Sequence, residues 1–579
     1  MNKQCTNCSK TFRVDDQDNV FYQMMQVPEP TFCPACRLQR RLAWRNERAL
    51  YQRPCQMCQK TTVCLQRPDG PIITYCSACW WSDKWEPFAY GRDYDFSRTF
   101  FEQFVELLHA VPHQSTDIMY LTFENSDFNN MGHYLRNCYL LFNSDYNDNC
   151  SYGTEIEHSK DCVDNTLVDE CELCYEAVNC QQCFQAFWSV DCINSRHIWF
   201  SKNLVNCSNC VGCINLRNKE YYIFNQPYSK EEYEKKVADM KLGTYSGVQV
   251  VQQQAHDTWL KHPHKYMHGT RNENVSGDYI YNSRQTHDTY IATEADNCRY
   301  CMWLIVKNNR DCYDYTQFGE EVEKIYESAV CGKESQNVIG GFRILESSSI
   351  RYSMHSYGSK NLFGCVGIRN KQYCILNKQY TKEAYETLTQ KIVEQMNQLP
   401  YQDSKGRKHY YGDYFPAELS HFAYNESTAY QFFPLTKENI VAQGYQWYEP
   451  ADRAKPTALQ TEELPDAITQ VNESVKQSVI ACLHHGDCQH QCTKQYRITA
   501  PEFDFYKQQG LPLPRICPNC RHYERAKFMN PVQVWRRQCM CTQTDHQHQG
   551  LCSTEFDTTY SPERKEIVYC EECYKKEIY

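Results

Sequence analysis

Asp161-Cys162-Val-Asp-Asn-Thr-Leu-Val-Asp-Glu170-Cys171-Glu-Leu-Cys174-Tyr-Glu-Ala-Val-Asn179-Cys180-Gln-Gln-Cys183 is the stretch whose reading decides the fold. An acid or amide stands directly before Cys162, Cys171 and Cys180. The same pairing recurs at Asn137-Cys138, Asn149-Cys150, Asp191-Cys192 and Asn206-Cys207. Successive cysteines of this series lie 12, 12, 9, 9, 12 and 15 residues apart. That regularity, with short β-rich bursts between Asn/Asp turns, predicts a stacked β-solenoid. Cysteine would fill tight inward positions as a small hydrophobe, and Asn or Asp would take the left-handed corners. A metal held by Cys171, Cys174, Cys180 and Cys183 is the alternative, but spacers this short suit a thiol ladder better than a tetrahedral site.

Outward from this stretch the pattern doubles. Gly212-Cys213-Ile-Asn-Leu-Arg217-Asn-Lys-Glu-Tyr-Tyr-Ile-Phe-Asn225 returns as Gly364-Cys365-Val-Gly-Ile-Arg369-Asn-Lys-Gln-Tyr-Cys-Ile-Leu-Asn377. Eight of fourteen positions are identical at an offset of 152. A helix follows each copy, the first opened by a Ser229/Glu232 capping box and the second from Thr381. Solenoid halves are therefore expected over 120–228 and 270–380, with a helical connector over 229–269. His256, His262, His264 and His268 in that connector could bind a metal, but no thiol stands near them in sequence, which favours packing.

The two ends carry the remaining signal. Residues 1–95 hold Cys5-x2-Cys8 with Cys33-x2-Cys36, then Cys55-x2-Cys58 with Cys76-x2-Cys79. Each pair of knuckles offers four soft ligands, as a structural zinc requires. Residues 480–579 repeat this unit at an offset of 484, predicting Cys488, Cys492, Cys517 and Cys520, then Cys539, Cys541, Cys570 and Cys573. Cys482 is an alternative to Cys488 in the third set; Cys552, His546 and His548 are alternatives in the fourth. About four structural Zn2+ ions per chain follow from such four-ligand sets. Between the modules, 96–119 reads as an amphipathic helix with Ser97 as N-cap, and 381–479 as a helix, an aromatic-rich irregular segment and a linker containing Pro450, Pro456 and Pro465.

Arg37, Arg40, Arg41, Arg45 and Arg48 leave the first module on one helical face. Such a face can lie on nucleic-acid phosphates. It can equally be a solvated face, or pair with the acidic middle of the same chain. In the C-terminal copy Glu524 stands where Arg40 does, so that helix is less basic. Trp80, Trp81 and Trp85 can stack on bases, but more readily pack on a small zinc core.

The strings CPACRLQRRLAWRNE, YCSACWWSDKW, GRDYDFSR, the RNKEYYIFN and RNKQYCILN pair, and CPNCRHYER together resemble an uncharacterised zinc-ribbon/treble-clef family of uncultivated small-genome bacteria. The resemblance covers nearly the whole chain. It implies zinc binding and the repeat middle, and no activity.

Composition bounds the function. The chain has 579 residues, 36 cysteines and a net charge of −10, so any basic surface must be local. It opens without an apolar leader and contains no membrane-length apolar run, which predicts a reducing cytoplasm and cysteines that bind metal or stay as thiols. No Gly-rich phosphate loop, HExxH or nucleophile elbow occurs. The expectation is a mixed, mainly β protein: a duplicated solenoid flanked by tandem zinc modules, acting as a non-enzymatic scaffold for a macromolecular partner. RNA or DNA binding through the Arg37–Arg48 face is the first alternative. A polysaccharide-active β-helix enzyme or a thiol oxidoreductase is the second.

Overall fold

The computed structural model describes residues 1–450, 458–543, 545–546 and 548–578; Pro456 of the expected linker lies outside them. The chain is mainly β. One parallel ladder runs Asp148, Lys160, Glu172, Phe184, Arg196, Ser208, Glu220, a step of twelve residues per coil. Within each coil the backbone turns left-handed at every third residue, as at Asn137, Leu140, Asn143, Tyr146 and Asn149. A coil is thus four short sides, and the residue after each corner points inward. Cys138, Cys150 and Cys162 do so after Asn137, Asn149 and Asp161, and all three are buried. This is why the cysteine spacings of 12, 9 and 15 are all multiples of three. The inward places are shared by cysteine, serine and alanine with aliphatic residues such as Leu141, Ile156, Val168 and Ile198.

Left-handed backbone costs an ordinary L-residue about 1–2 kcal/mol, so the corners need compensation. Side-chain amides supply it by bonding from coil to coil. Asn125, Asn137, Asn149 and Asp161 form one such ladder (3.1, 3.1 and 2.9 Å), and Asn194, Asn206 and Asn218 another (2.7 and 3.1 Å). Inside, Cys150 Sγ donates to the carbonyls of Asp148 and Ser159 (3.4 and 3.5 Å). Where serine takes an inward place, its hydroxyl accepts a backbone N–H of the next coil, as Ser159 does from Cys171 (3.1 Å). Burial pushes the Cys162 thiol well up, consistent with a neutral donor.

The second stack begins near Gly269 with an eleven-residue step (Gly269 with Ile280) and takes steps of twelve on either side of longer central coils. Ala295 pairs with Asn309 and Asn309 with Val322, coils of 14 and 13 residues. Both stacks finish alike: a short hairpin, then a helix across the open end. Lys230–Asp239 closes the first and Lys382–Gln398 the second. Their buried Tyr233 and Tyr385, 152 residues apart, lie near Cys210 and Cys213 and near Cys365 and Cys374. Covering the last coil removes an unpaired strand edge.

The helix before the first stack is Phe100–Ala110, capped by Thr99 rather than the expected Ser97. Thr99 donates its N–H and hydroxyl to Glu102 (3.1 and 2.8 Å), whereas Ser97 is tied to Asp95. Phe100, Phe101 and Phe104 are buried against Tyr352 and Phe363 of the second stack and Phe415 beyond it. Among the described residues, no helix is long and apolar enough to cross a membrane.

Candidate metal centres

Four modules share one construction. An antiparallel hairpin supplies the first cysteines: Asn2–Gln4 with Thr11–Arg13, Tyr51–Pro54 with Thr61–Cys64, Ile480–Ala481 with Gln495–Tyr496, and Trp535–Gln538 with Glu555–Thr558. A helix beginning directly after Cys33, Cys76, Cys517 or Cys570 supplies the second pair. In every module the N–H of that cysteine donates to the sulfur of the first one (Cys5, Cys55, Cys482, Cys539), each time at 3.2 Å. Amide donors and a helix start both favour thiolate over thiol.

The sulfurs of Cys5, Cys8, Cys33 and Cys36 lie within 4.8 Å of one another, as do those of Cys55, Cys58, Cys76 and Cys79. Cys8–Cys33 is 3.7 Å and Cys58–Cys76 3.9 Å. A tetrahedron with metal–sulfur bonds of ~2.3 Å has an edge of ~3.8 Å, whereas a disulfide would need about 2.05 Å. Each set can therefore hold a metal ion.

The C-terminal sets differ from the sequence expectation in one corner each. The third brings together Cys482, Cys492, Cys517 and Cys520, not Cys488. Cys482 ends its strand and accepts the Cys517 N–H just as Cys5 accepts that of Cys33, so it is the structural counterpart of Cys5. Cys488 lies in the longer loop that follows. The fourth brings together Cys539, Cys552, Cys570 and Cys573, not Cys541. Cys541 turns its sulfur to His546 (3.1 Å), and Cys552, whose N–H donates to the Cys541 carbonyl (2.9 Å), fills the corner. His548 Nε2 stands 3.5 Å from Cys573 Sγ.

The arginine face is turned into the protein. Arg37, Arg40, Arg41 and Arg45 are each no more than 1% exposed. The helix Pro34–Leu42 docks on the long central coils of the second stack. Asp314 takes Arg37 and Arg41 (2.9 and 3.0 Å), and Glu327 takes Arg40 and Arg41 (2.7 and 3.1 Å). Asp413 takes Arg40 as well, at 3.3 Å. Arg45 pairs with Glu47 and donates to Asn143 of the first stack (2.7 and 2.9 Å); Arg48, half-buried, donates to Thr154 (2.8 Å). Burial and the neighbouring Arg525 push Arg48 down to about 10. As placed, these side chains have no free face for a phosphate backbone; charge periodicity found the helix face but not the carboxylates that cover it.

The C-terminal helix Pro518–Ala526 repeats this docking on the first stack. Asp164 takes Arg521 and Arg525 (3.2 and 2.9 Å), and Glu176 takes Arg525 (3.2 Å). The correspondence extends to Thr316 and Thr166, which accept from Arg41 and Arg525, and to Tyr300 and Tyr152, which stack beneath Arg37 and Arg521. Burial pushes Glu176 up to about 7, with Arg525 opposing. Each arginine helix thus docks on the solenoid half remote from it in sequence.

Trp80, Trp81 and Trp85 surround the Arg369 guanidinium (4.2, 4.9 and 5.3 Å) and pack the second module on the last coils of the second stack. In the connector, His268 lies between Asp278 of the second stack and Asp191 of the first (2.9 and 3.5 Å). Burial lowers its pKa, but the two carboxylates outweigh burial and raise it to about 10.

One feature had no signal in the sequence pattern. A cleft of about 370 Å³ runs between the two stacks, lined by His133, Asp145 and Glu157 on one side and Lys333 and Arg343 on the other. His133, Asp145, Glu157 and Asp169 are register partners on successive coils. Burial and the adjacent Asp145 push Glu157 well above the usual carboxylate range.

No family model, no curated protein and no solved structure matches this chain. Any functional reading therefore rests on its own residues.

Proposed function

We propose that this protein is a zinc-stapled, non-enzymatic scaffold of the cytoplasm that presents its solenoid surface to a macromolecular partner. The observation that carries the reading is the inward turn of both arginine helices. The modules commit their cations to Asp314, Glu327 and Asp164, and so act as clamps rather than readers. Zinc is the metal that four thiolates at tetrahedral edges suit best, and small thiolate modules owe much of their folding energy to it. The face left for a partner is the outer side of the first stack. There Tyr134, Tyr146 and His158 lie in one column with rings stacked at 4.8 and 5.0 Å, both tyrosines 52% exposed. A regular exposed aromatic column is unusual on a surface with no ligand to meet. The test is cross-linking of the full chain to partners captured from its host, mapped by mass spectrometry. Cross-links within 121–158 that vanish in Tyr134→Ala/Tyr146→Ala support the reading. Cross-links confined to the modules, or salt-sensitive RNA retention lost on substituting surface lysines, would replace it.

The cleft favours one second reading, an enzyme acting on a polysaccharide. Glu157, its carboxyl pushed well up beside the Asp145 carboxyl, gives the paired-carboxyl arrangement that glycoside hydrolysis uses. Release of reducing sugar by the wild type, abolished in Glu157→Gln, would establish it; none from a broad polysaccharide panel would dismiss it.

A further inference from the structure

The third module differs from the first by an insertion with its own chemistry. Cys5 and Cys8 are separated by two residues, Cys482 and Cys492 by nine, in Cys482-Leu-His-His-Gly-Asp-Cys-Gln-His-Gln-Cys492. Through that loop His484, Cys488 and His490 gather around Cys520. One donor atom from each of the four lies within 4.8 Å of the others. Cys520 already belongs to the cluster with Cys482, Cys492 and Cys517.

We infer that Cys520 bridges two metal ions, and that His484, Cys488 and His490 complete a second zinc site, of two thiolates and two imidazoles, beside the four-thiolate site. The inference rests on the reading that the four-thiolate cluster holds zinc. Three observations carry it. Cys520 Sγ stands at tetrahedral-edge distance from two sulfurs that belong to different sets, Cys482 at 3.9 Å and Cys488 at 3.7 Å. The Nδ1 atoms of His484 and His490 are buried without a hydrogen-bond partner, which costs free energy unless a ligand satisfies them. The third is the exchange of Arg40 for Glu524. In the first module Arg40 is buried against Glu327; here Glu524 Oε1 lies 3.8 Å from His490 Nδ1. A carboxylate on the side of the ligating nitrogen offsets the metal's charge, where an arginine would repel the ion. Tyr523 further fixes the His490 ring by stacking on it (5.3 Å, 2°).

Charge supports sharing. A Zn2+ with four thiolates carries −2. Two Zn2+ with five thiolates and two neutral imidazoles carry −1, so the second ion relieves the first. The donor set of soft sulfur and imidazole suits zinc over magnesium or calcium.

The experiment counts zinc per chain by native mass spectrometry on anaerobically purified full-length wild type, Cys488→Ser and His484→Ala/His490→Ala, with thermal unfolding as the folding check. Both variants are expected to lose one zinc per chain and to stay folded. With Co2+ in place of zinc, exchange through the Cys520 sulfur should weaken the wild-type high-spin paramagnetic signal, and either variant should restore it. Equal zinc counts in folded wild type and variants, with no spin coupling, would overturn the second site alone. Absence of zinc from the wild type would overturn the four-thiolate reading with it. If Cys488→Ser fails to fold, the histidine pair and the cobalt signal of the wild type still decide.

Discussion

Asp314→Asn tests the clamp directly. Asp314 is fully buried and accepts from Arg37 and Arg41. Around it three guanidinium groups (Arg37, Arg40, Arg41) face three carboxylates (Asp314, Glu327, Asp413), so the cluster is neutral. The substitution leaves one positive charge uncompensated in the interior. Each contact near 3 Å is worth ~5 kcal/mol at an effective dielectric of about 20, but much of that gross attraction offsets the desolvation of the ions. Breaking a buried pair by removing one partner costs about 3–5 kcal/mol net. Since a domain is stable by about 5–15 kcal/mol, the cheaper response is undocking of the first module. The ligands of its metal lie outside the cluster, so its zinc count should not change. Hydrogen exchange by mass spectrometry should show lost protection over 1–50 and on the facing coils 309–332, and urea titration a loss of about 3–5 kcal/mol. Asp164→Asn should open 500–530 instead. Replacing Asp314 and Arg37 together by Leu and Met should restore most of the loss, because Arg40 and Arg41 then still face Glu327 and Asp413 and the apolar pair needs no partner. A loss below about 1 kcal/mol for Asp314→Asn, the scale of an exposed pair, or opening of 500–530 in that variant, would refute the crossed docking.

Three further outcomes follow from the solenoid and its seam. Asn206→Val puts a β-branched residue at a left-handed corner and cuts the Asn194–Asn206–Asn218 ladder; a loss of about 2–3 kcal/mol by urea titration is expected, and Asn206→Gly should recover part of it. Cys180→Ser should cost no more than about 1 kcal/mol and leave the zinc count unchanged, since serine already serves at inward positions 159, 189 and 195; loss of a metal would show that the inward thiols ligate. His268 has a pKa raised to about 10 in the fold against 6.5 without it. Its contribution is therefore complete below pH ~6.5 and fades as pH rises towards 10. His268→Gln should destabilise by about 3 kcal/mol at pH 6 and flatten the fall in stability between pH 6.5 and 10; an unchanged slope would refute the bridge.

Much of the solenoid was legible because its period is local. An inward residue every third position and a corner before it leave Asn-Cys and Asp-Cys pairs that one sequence displays. The 152-residue offset survived because capping helices and final coils repeat together. The modules were legible where the spacing was regular. In the C-terminal copy the insertion after Cys482 displaced the alignment, so Cys488 stood where the fold uses Cys482. Cys541 was misplaced for a similar reason: the corner is filled by Cys552, which arrives eleven residues later, just before the far strand of the hairpin. The arginine helix was read with its correct face, but Asp314 is 273 residues from Arg41, and no local pattern announces a partner at that distance. The cleft between stacks was invisible for the same reason, since it exists only once both halves are set side by side.

The crossed docking gives the duplication its physical sense. A solenoid half makes contacts about twelve residues apart and can grow by addition of coils, and a four-cysteine module can fold around a metal ion. Neither local process decides how the halves sit together. That is left to contacts such as Arg41 with Asp314 and Arg525 with Asp164, which span 273 and 361 residues. Closing loops of that length costs entropy before any contact repays it, so docking follows the local folding, and each helix must find a half that is already built. Had each module clamped the adjacent half, the two halves would be independent units free to part. With the modules exchanged, each helix ties an end of the chain to the distant half. The first module goes further, because Arg45 and Arg48 reach Asn143 and Thr154 on the first stack while Arg37 and Arg41 hold the second. In the C-terminal segment Met529 holds the position of Arg45, and the reach to the other stack is made instead by Asn530, which donates to Asp278 (2.8 Å). Both copies thus join the halves, by arginines in one and by Asn530 in the other, and only the C-terminal copy carries the histidine-rich insertion after Cys482.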